Sequence, residues 1–401
     1  MLLAIAIALY YLRFIKNDLT LYPLGARCLL ANQPLLECAP TFTYPPFFAF
    51  VMIPFAGLPL WAAHLEWYAL SIAGLLLSFR LCETLALRTF GVELEERRRY
   101  WLRLLAFVLS LKFMLAVLEN QAYDFLILLF LLIGIHGLVE RKALQAGAGF
   151  ALAAALKLTP LLFFPYLFFR KRWRVGVIAL ACYLVASLLP DLVFAVSGRE
   201  DGYFITWVQQ IIHPAVSSDA GGTSAANPRF WEGTNPLNQS LRALVYRIAV
   251  ALDLAAQFPT MLLATYAPFA ACLFLIVRRA SGLERPWALD VAVLMIGMLM
   301  LSPMSSKSHF VVLLLPSMLI AAYLLIQERP NPAMLPLLIV SFALNSLTSK
   351  DILGKQLSTT LQYMGAITIG TLLVLVMIGM IVWRIVKERE RNTGGVSPPP
   401  Q

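Results

Sequence analysis

Charge is what this chain has least of. Asp, Glu, Lys and Arg together supply 13% of its 401 residues, against roughly 25% in a soluble globular domain. That shortage excludes an ordinary water-soluble fold. Histidine is scarce, at four, and the five cysteines show no metal-ligand spacing. No glycine-rich nucleotide loop and no Ser–His–Asp pattern occurs. No cofactor and no metal are therefore expected. Strand-like alternation is also missing, which excludes a membrane β-barrel.

Long apolar runs take up the room that charge leaves. Hydrophobic residues make up 60% of the chain, and many runs last about 17–25 residues, enough to cross a hydrocarbon core. Backbone groups in lipid must be satisfied internally, so such runs are helices. The expected fold is an all-α polytopic membrane protein. Candidate spans are 1–16, 61–82, 104–118, 122–138, 145–169, 175–196, 258–278, 287–303, 309–326, 334–348 and 364–386. They form one integral-membrane domain over 1–391, and the tail 392–401 is expected to be disordered. The net charge of +10 collects in clusters at 93–103, 170–174, 278–285, 327–330 and 384–392. These read as cytoplasmic loops, not as a nucleic-acid surface. Both termini are then cytoplasmic, and the outer loops are 17–45, 119–121, 197–257, 303–308 and 349–361.

Three segments break simple counting. "PPFFAFVMIPFAGLP" (45–59) is too short and too rich in proline to span, and reads as a re-entrant or interfacial helix on the outer side. The run 145–169 is interrupted by "KLTP" at 157–160, where proline removes a helix hydrogen bond. A broken helix is tolerated at membrane depth only when it is buried in protein or lines a wet cavity. Within the long loop 197–257, residues 237–256 have helical periodicity and are expected along the outer membrane surface.

Polar residues gather on the outer side. Asp18 follows the first apolar run; on position alone it is a solvated stop, yet its loop leads into the interfacial helix and makes a pocket there. Arg13, Lys16 and Arg27 are cations on the wrong side for topology, which points to an anionic ligand such as a lipid phosphate. Snorkelling is the plainer account of Arg13 and Lys16. "LENQAYD" (118–124) clusters Glu119, Asn120, Gln121 and Asp124 at a short turn. Lys157 stands inside an apolar run, where an ammonium must be paired or hydrated; a phosphate would partner it. "SPMSSKSHF" (302–310) sets Lys307 and His309 at an outer helix mouth. His136 and Lys112 are weaker candidates, and His64 and His213 have no supporting context. Cys28 and Cys38 share a polar loop and can pair if it lies outside the cytoplasm.

Several of these motifs occur in the order of a known family. "NDLTLYPLGARCLL" followed by "FTYPPFF" resembles the opening of glycosyltransferase family 87, membrane mannosyltransferases of the GT-C type that use polyprenyl-phosphate mannose. "ENQAYDFLIL", "AGAGFALAAALKLTPLLFFPYLFFRKRWR", "NPLNQSLRALVYR" and "LSPMSSKSHFVVLLLP" resemble its later elements. The resemblance implies a GT-C-like bundle of about 10–12 transmembrane helices, with outer loops 17–60 and 197–257 covering the active site. It implies Asp18 as general base. Lys157, Lys307, His309 and Arg242 would hold the donor phosphate. Tyr22, Tyr44, Asn120, Gln121, Asn238 and Gln239 would contact sugar or acceptor. The chain departs from the pattern at Leu19, Asn120, Lys307 and Ser308. The first helix also starts so near residue 1 that a longer natural N-terminus is expected.

The implied reaction is inverting transfer of a sugar, most simply mannose, from a polyprenyl-phosphate donor to a hydroxyl of a glycolipid or glycan acceptor outside a bacterial plasma membrane. Expected partners are that donor, the acceptor and membrane lipids, with no nucleic acid. The rival from another class is a transporter or flippase for a lipid-linked anion, which would use the same membrane-depth cations and broken helix. No internal repeat supports it.

Overall fold

The computed structural model describes residues 17–194, 202–214, 232–327 and 331–392, with backbone alone at Asn17 and Asp18. The expected span 1–16, with Arg13 and Lys16, and the tail from residue 393 lie outside the described residues. Every regular element among the described residues is helical. Among the described residues, six helices are long and apolar enough to cross a membrane: Leu60–Phe90, Glu96–Asn120, Trp173–Val193, Ala255–Ala280, Lys307–Ile326 and Ala366–Asn392. A bent pair, Met334–Leu347 and Lys350–Tyr363, makes a seventh if counted as one span. Many large apolar side chains face outward, among them Leu76, Leu192, Leu263 and Leu275. In a soluble protein such exposure marks a sticky surface; on apolar helices of this length it is the lipid-facing side. The chain is a multi-pass integral membrane protein.

The chain divides into two compact units. The first takes Met1–Ser78, Phe113–Asn238 and Lys307–Val311; the second takes Phe79–Lys112, Gln239–Ser306 and Val312–Gln401.

At the centre of the first unit, helices Asp124–Val139 and Ala143–Leu156 form a tight antiparallel hairpin. Arg141 takes the left-handed turn between them, with φ 57°. Glycines let the helices touch. A Cβ on Gly137 would lie 2.5 Å from the Ala146 nitrogen, and one on Gly149 would lie 2.6 Å from the Gly134 nitrogen. Small residues serve this purpose in membranes, where packing drives helix association. The second arm ends at Leu156, and Lys157 is extended (φ −154°, ψ 132°). The chain resumes as a short 3-10 turn, Thr159–Leu162, and the helix Phe163–Phe169. The run expected as span 145–169 is thus broken at "KLTP", as its proline requires.

The segment 45–59, expected as a re-entrant or interfacial helix, forms two short helices, Pro46–Val51 and Ile53–Ala56. Before them, helix Asn17–Leu30 is tied to the chain that follows by a Cys28–Cys38 disulfide with Cα atoms 5.9 Å apart. Phe42 folds back against Gly25, where a Cβ would sit 2.3 Å from its ring.

The second unit departs from expectation at 349–361, read as an outer loop. There the helix Lys350–Tyr363 turns by 92° from Met334–Leu347. Ser358 Oγ and Gln362 Nε2 donate to the Thr348 carbonyl, at 2.8 and 3.2 Å, and satisfy backbone that the bend frees. The helix expected within 237–256 runs Leu241–Ala251, capped by the Ser240 side chain, which accepts from the Ala243 amide. It exposes Ile248, Val250 and Leu252 and buries Arg242 and Arg247. Apolar side chains outward and charged ones inward is the arrangement a lipid environment favours.

Candidate active site

A hairpin brings residues equally far from its turn side by side. Asp124 opens the first arm and Lys157 follows the second, at matching distances from the Glu140–Lys142 turn. Lys157 Nζ donates to Asp124 Oδ1 at 3.0 Å. His309 Nε2 stands 3.9 Å from the same oxygen, and the Ser308 side chain hydrogen-bonds the carboxylate. The Asp124 side chain is 5% exposed, and those of Lys157 and His309 are 17% exposed. The late motif supplies Ser308 and His309 from the 3-10 stretch Lys307–Leu313, which Phe310 anchors by stacking on Phe113 at 5.5 Å. Lys307, half-buried, begins that stretch.

Aromatic rings form the next layer. Lys157 Nζ lies 6.0 Å from the centre of the Tyr123 ring. Tyr123 stacks on Phe48 at 4.4 Å and meets Tyr44 and Tyr22 edge-on, at 5.3 and 6.1 Å. Tyr22 also packs on Trp67 at 5.5 Å. Helix Asn17–Leu30 buries Tyr22, Gly25 and Leu29. The side chain of Asp18 itself lies outside the described residues.

The turn "ENQAYD" is more constrained than a plain connector. Gln121 is 1% exposed and holds φ 54°. Its carbonyl accepts from Trp67 Nε1 at 2.8 Å, and its Nε2 lies 3.4 Å from His64 Nδ1. Asn120, beside it, ends helix Glu96–Asn120. Arg27 donates through Nε to the Ala56 carbonyl at 2.9 Å, so this cation braces the short helices of 45–59. Beside the strap of residues 31–45, Trp207 Nε1 donates to the Thr43 carbonyl at 3.0 Å, and an apolar groove opens between Leu35, Phe42, Tyr203 and Trp207.

The first unit therefore brings together Lys157, His309, Tyr22, Tyr44 and Gln121. Asn238, 1% exposed, ends its middle stretch. Gln239 and Arg242 belong to the second unit. Gln239 is fully buried, and its Nε2 donates to the Gln362 carbonyl at 2.7 Å. The Arg242 guanidinium lies 5.9 Å from the centre of the Phe258 ring, and burial lowers its pKa. Arg247, over Tyr363 at 5.4 Å, is pushed down to about 10 by the same cause.

Sequence reasoning names Asp124 in the polar turn but not as the partner of Lys157, and gives Ser308 and Tyr123 no role. Asp124 was visible only as one polar residue in a turn, although a lysine in an apolar run demands a counter-charge and the hairpin symmetry points to position 124. Ser308 and Tyr123 gave no signal of their own.

The described residues thus combine lipid-facing helices with a buried Lys–Asp–His cluster at a broken helix. Comparison with known families makes the class definite: glycosyltransferase family 87 matches residues 42–303. The chain belongs to that family and is a membrane glycosyltransferase. It is similar to the polyprenol-phosphate-mannose-dependent alpha-(1-2)-phosphatidylinositol mannoside mannosyltransferase of Mycobacterium tuberculosis (strain ATCC 25618 / H37Rv). The two are 26% identical over 406 residues, covering 96% of this chain and 89% of that protein. No solved structure matches.

Proposed function

We propose that this glycosyltransferase moves mannose from a polyprenyl-phosphate donor to a hydroxyl of a glycolipid or glycan acceptor on the extracytoplasmic face, with inversion. The observation that carries the reading is the cluster of Lys157, His309 and Asp124 beside the Tyr123–Tyr22 aromatic group. Cations at a break in an apolar hairpin suit a lipid phosphate, and position 18 sits one turn from Tyr22. The relative's use of polyprenol-phosphate mannose supports the donor.

The acceptor oxygen attacks C1 of the sugar on the face opposite the phosphate. The C1–O bond breaks, its electron pair stays on the phosphate, and Asp18 takes the acceptor proton. Lys157 and His309, with Lys307, meet the charge that develops on the leaving group. Tyr22, Tyr44, Asn120, Gln121 and Asn238 orient sugar and acceptor. No divalent metal has a part in this scheme.

Sidedness rests on the Cys28–Cys38 disulfide, because disulfides persist in oxidising compartments outside the cytoplasm. The basic clusters and both termini are then cytoplasmic.

Asp18→Asn tests the mechanism. Transfer is expected to fall by about 10²–10⁴, the range for loss of a general base, while the purified protein still binds donor. Near-normal turnover by this variant removes Asp18 from the role. Free polyprenyl phosphate should appear in step with product; a flippase releases none.

A further inference from the structure

We infer that Asp124 is a positioning residue whose carboxylate holds Lys157 between turnovers and competes with the spent lipid phosphate for it, so that product leaves. The inference rests on the reading above that Lys157 and His309 receive the donor phosphate.

Three features of the site carry it. The contact is single: one ammonium donates to one carboxylate oxygen at 3.0 Å. An ammonium is a point charge on a flexible stem and can exchange partners without breaking a fixed fork. The carboxylate, by contrast, cannot follow. Asp124 is held at the start of a helix whose glycines lie against the opposite arm, and Ser308 bonds it from another segment. Finally, Lys157 sits on extended backbone just beyond its helix, beside the Tyr123 ring, so no helical turn of its own fixes its stem.

The reaction changes the charge that this pair must handle. The donor is a phosphodiester with one negative charge. When C1–O breaks, the electron pair remains on phosphate and the proton passes to Asp18. The product is a phosphate monoester, carrying about −1.5 to −2 near neutral pH. Cations alone would hold that product more tightly than the donor, and turnover would stall. Repulsion scales with charge, so a carboxylate fixed at the site disfavours the monoester nearly twice as strongly as the diester. Asp124 also offers Lys157 a partner as the lipid phosphate departs.

The test compares two constants on purified protein: KM for polyprenyl-phosphate mannose and the inhibition constant of polyprenyl phosphate. In Asp124→Asn the inhibition constant should fall at least about tenfold relative to KM, with a burst followed by slow turnover. Asp124→Glu, which keeps the carboxylate, should hold the ratio near the unaltered protein's. An unchanged ratio in Asp124→Asn, with both constants rising together, marks a merely structural residue and overturns the inference. If Asp124→Asn does not fold, the unaltered protein decides. Its affinity for polyprenyl phosphate should exceed that for the sugar-free diester methyl polyprenyl phosphate by no more than about tenfold; a larger preference overturns the inference. Lys157→Ala separates the two readings. If it leaves KM and product inhibition untouched, the phosphate-site reading itself falls; if it abolishes both while the Asp124→Asn ratio stays put, only the present inference does.

Discussion

Asp124 and Glu83 are almost equally hidden, at 4% and 6% exposure, yet their cations differ. Glu83 takes Arg103 with both oxygens, at 2.9 and 3.0 Å, and Arg99 at 3.2 Å. Those arginines come from the next helix, Glu96–Asn120, across a short connection. A guanidinium fork on a carboxylate fixes two bonds in one plane, and the result is a clasp between neighbouring helices. Asp124 takes a lysine through one oxygen, with a histidine and a serine hydroxyl close by. Burial costs both carboxylates the same solvation, but only the lysine pair can come apart and re-form. The difference separates a structural ion pair from the one to which the proposed function brings an anionic substrate.

Substitutions can break that contrast. Lys157→Ala has the largest expected effect: kcat/KM for lipid-phosphate sugar should drop by about 10²–10³, the usual cost of removing a donor to a developing anion. Radiolabelled transfer by purified, folded protein measures it. Lys157→Arg sharpens the contrast by turning the site's pair into a fork. Activity should fall about tenfold although charge is kept, because a bidentate guanidinium exchanges less readily. Equal activity of the two cations would erase the distinction drawn here. Arg103→Ala should act the other way. It should lower stability by about 1 kcal/mol, a figure reduced because the arginine is partly exposed, and leave turnover of the folded fraction unchanged. Thermal unfolding in detergent, read beside activity, checks both halves. Least of all, dialysis against a strong chelator should leave transfer unaltered, since neither carboxylate is assigned a metal; lost activity restored by a divalent cation would reopen that assignment.

Much of the helical plan was legible. Long apolar runs mark spans because lipid offers the backbone no partners. The interruption at "KLTP" is local chemistry, and it appears where proline put it. That 45–59 forms only short helices followed from its length and prolines. By contrast, the helix Lys350–Tyr363 was read as loop. Its polar face is satisfied by Thr348, and nothing within the segment announces that neighbour. The left-handed turn falls at Gln121, whose carbonyl accepts from Trp67 and whose side-chain amide lies against His64, and neither partner is near it in the sequence. Arg27 reads as a stray cation in the sequence, yet a carbonyl twenty-nine positions along the chain accepts from its Nε.

Composition and run length by themselves determined that this is a helical membrane protein, because the cost of dissolving backbone and charge in lipid is paid locally, residue by residue. The ordered motifs determined its family. Which carboxylate answers Lys157, which histidine joins it and which rings surround it were decided only in three dimensions. A counter-charge need only be near in space, and the close glycine packing of one hairpin turns thirty-three residues of separation into a 3.0 Å contact.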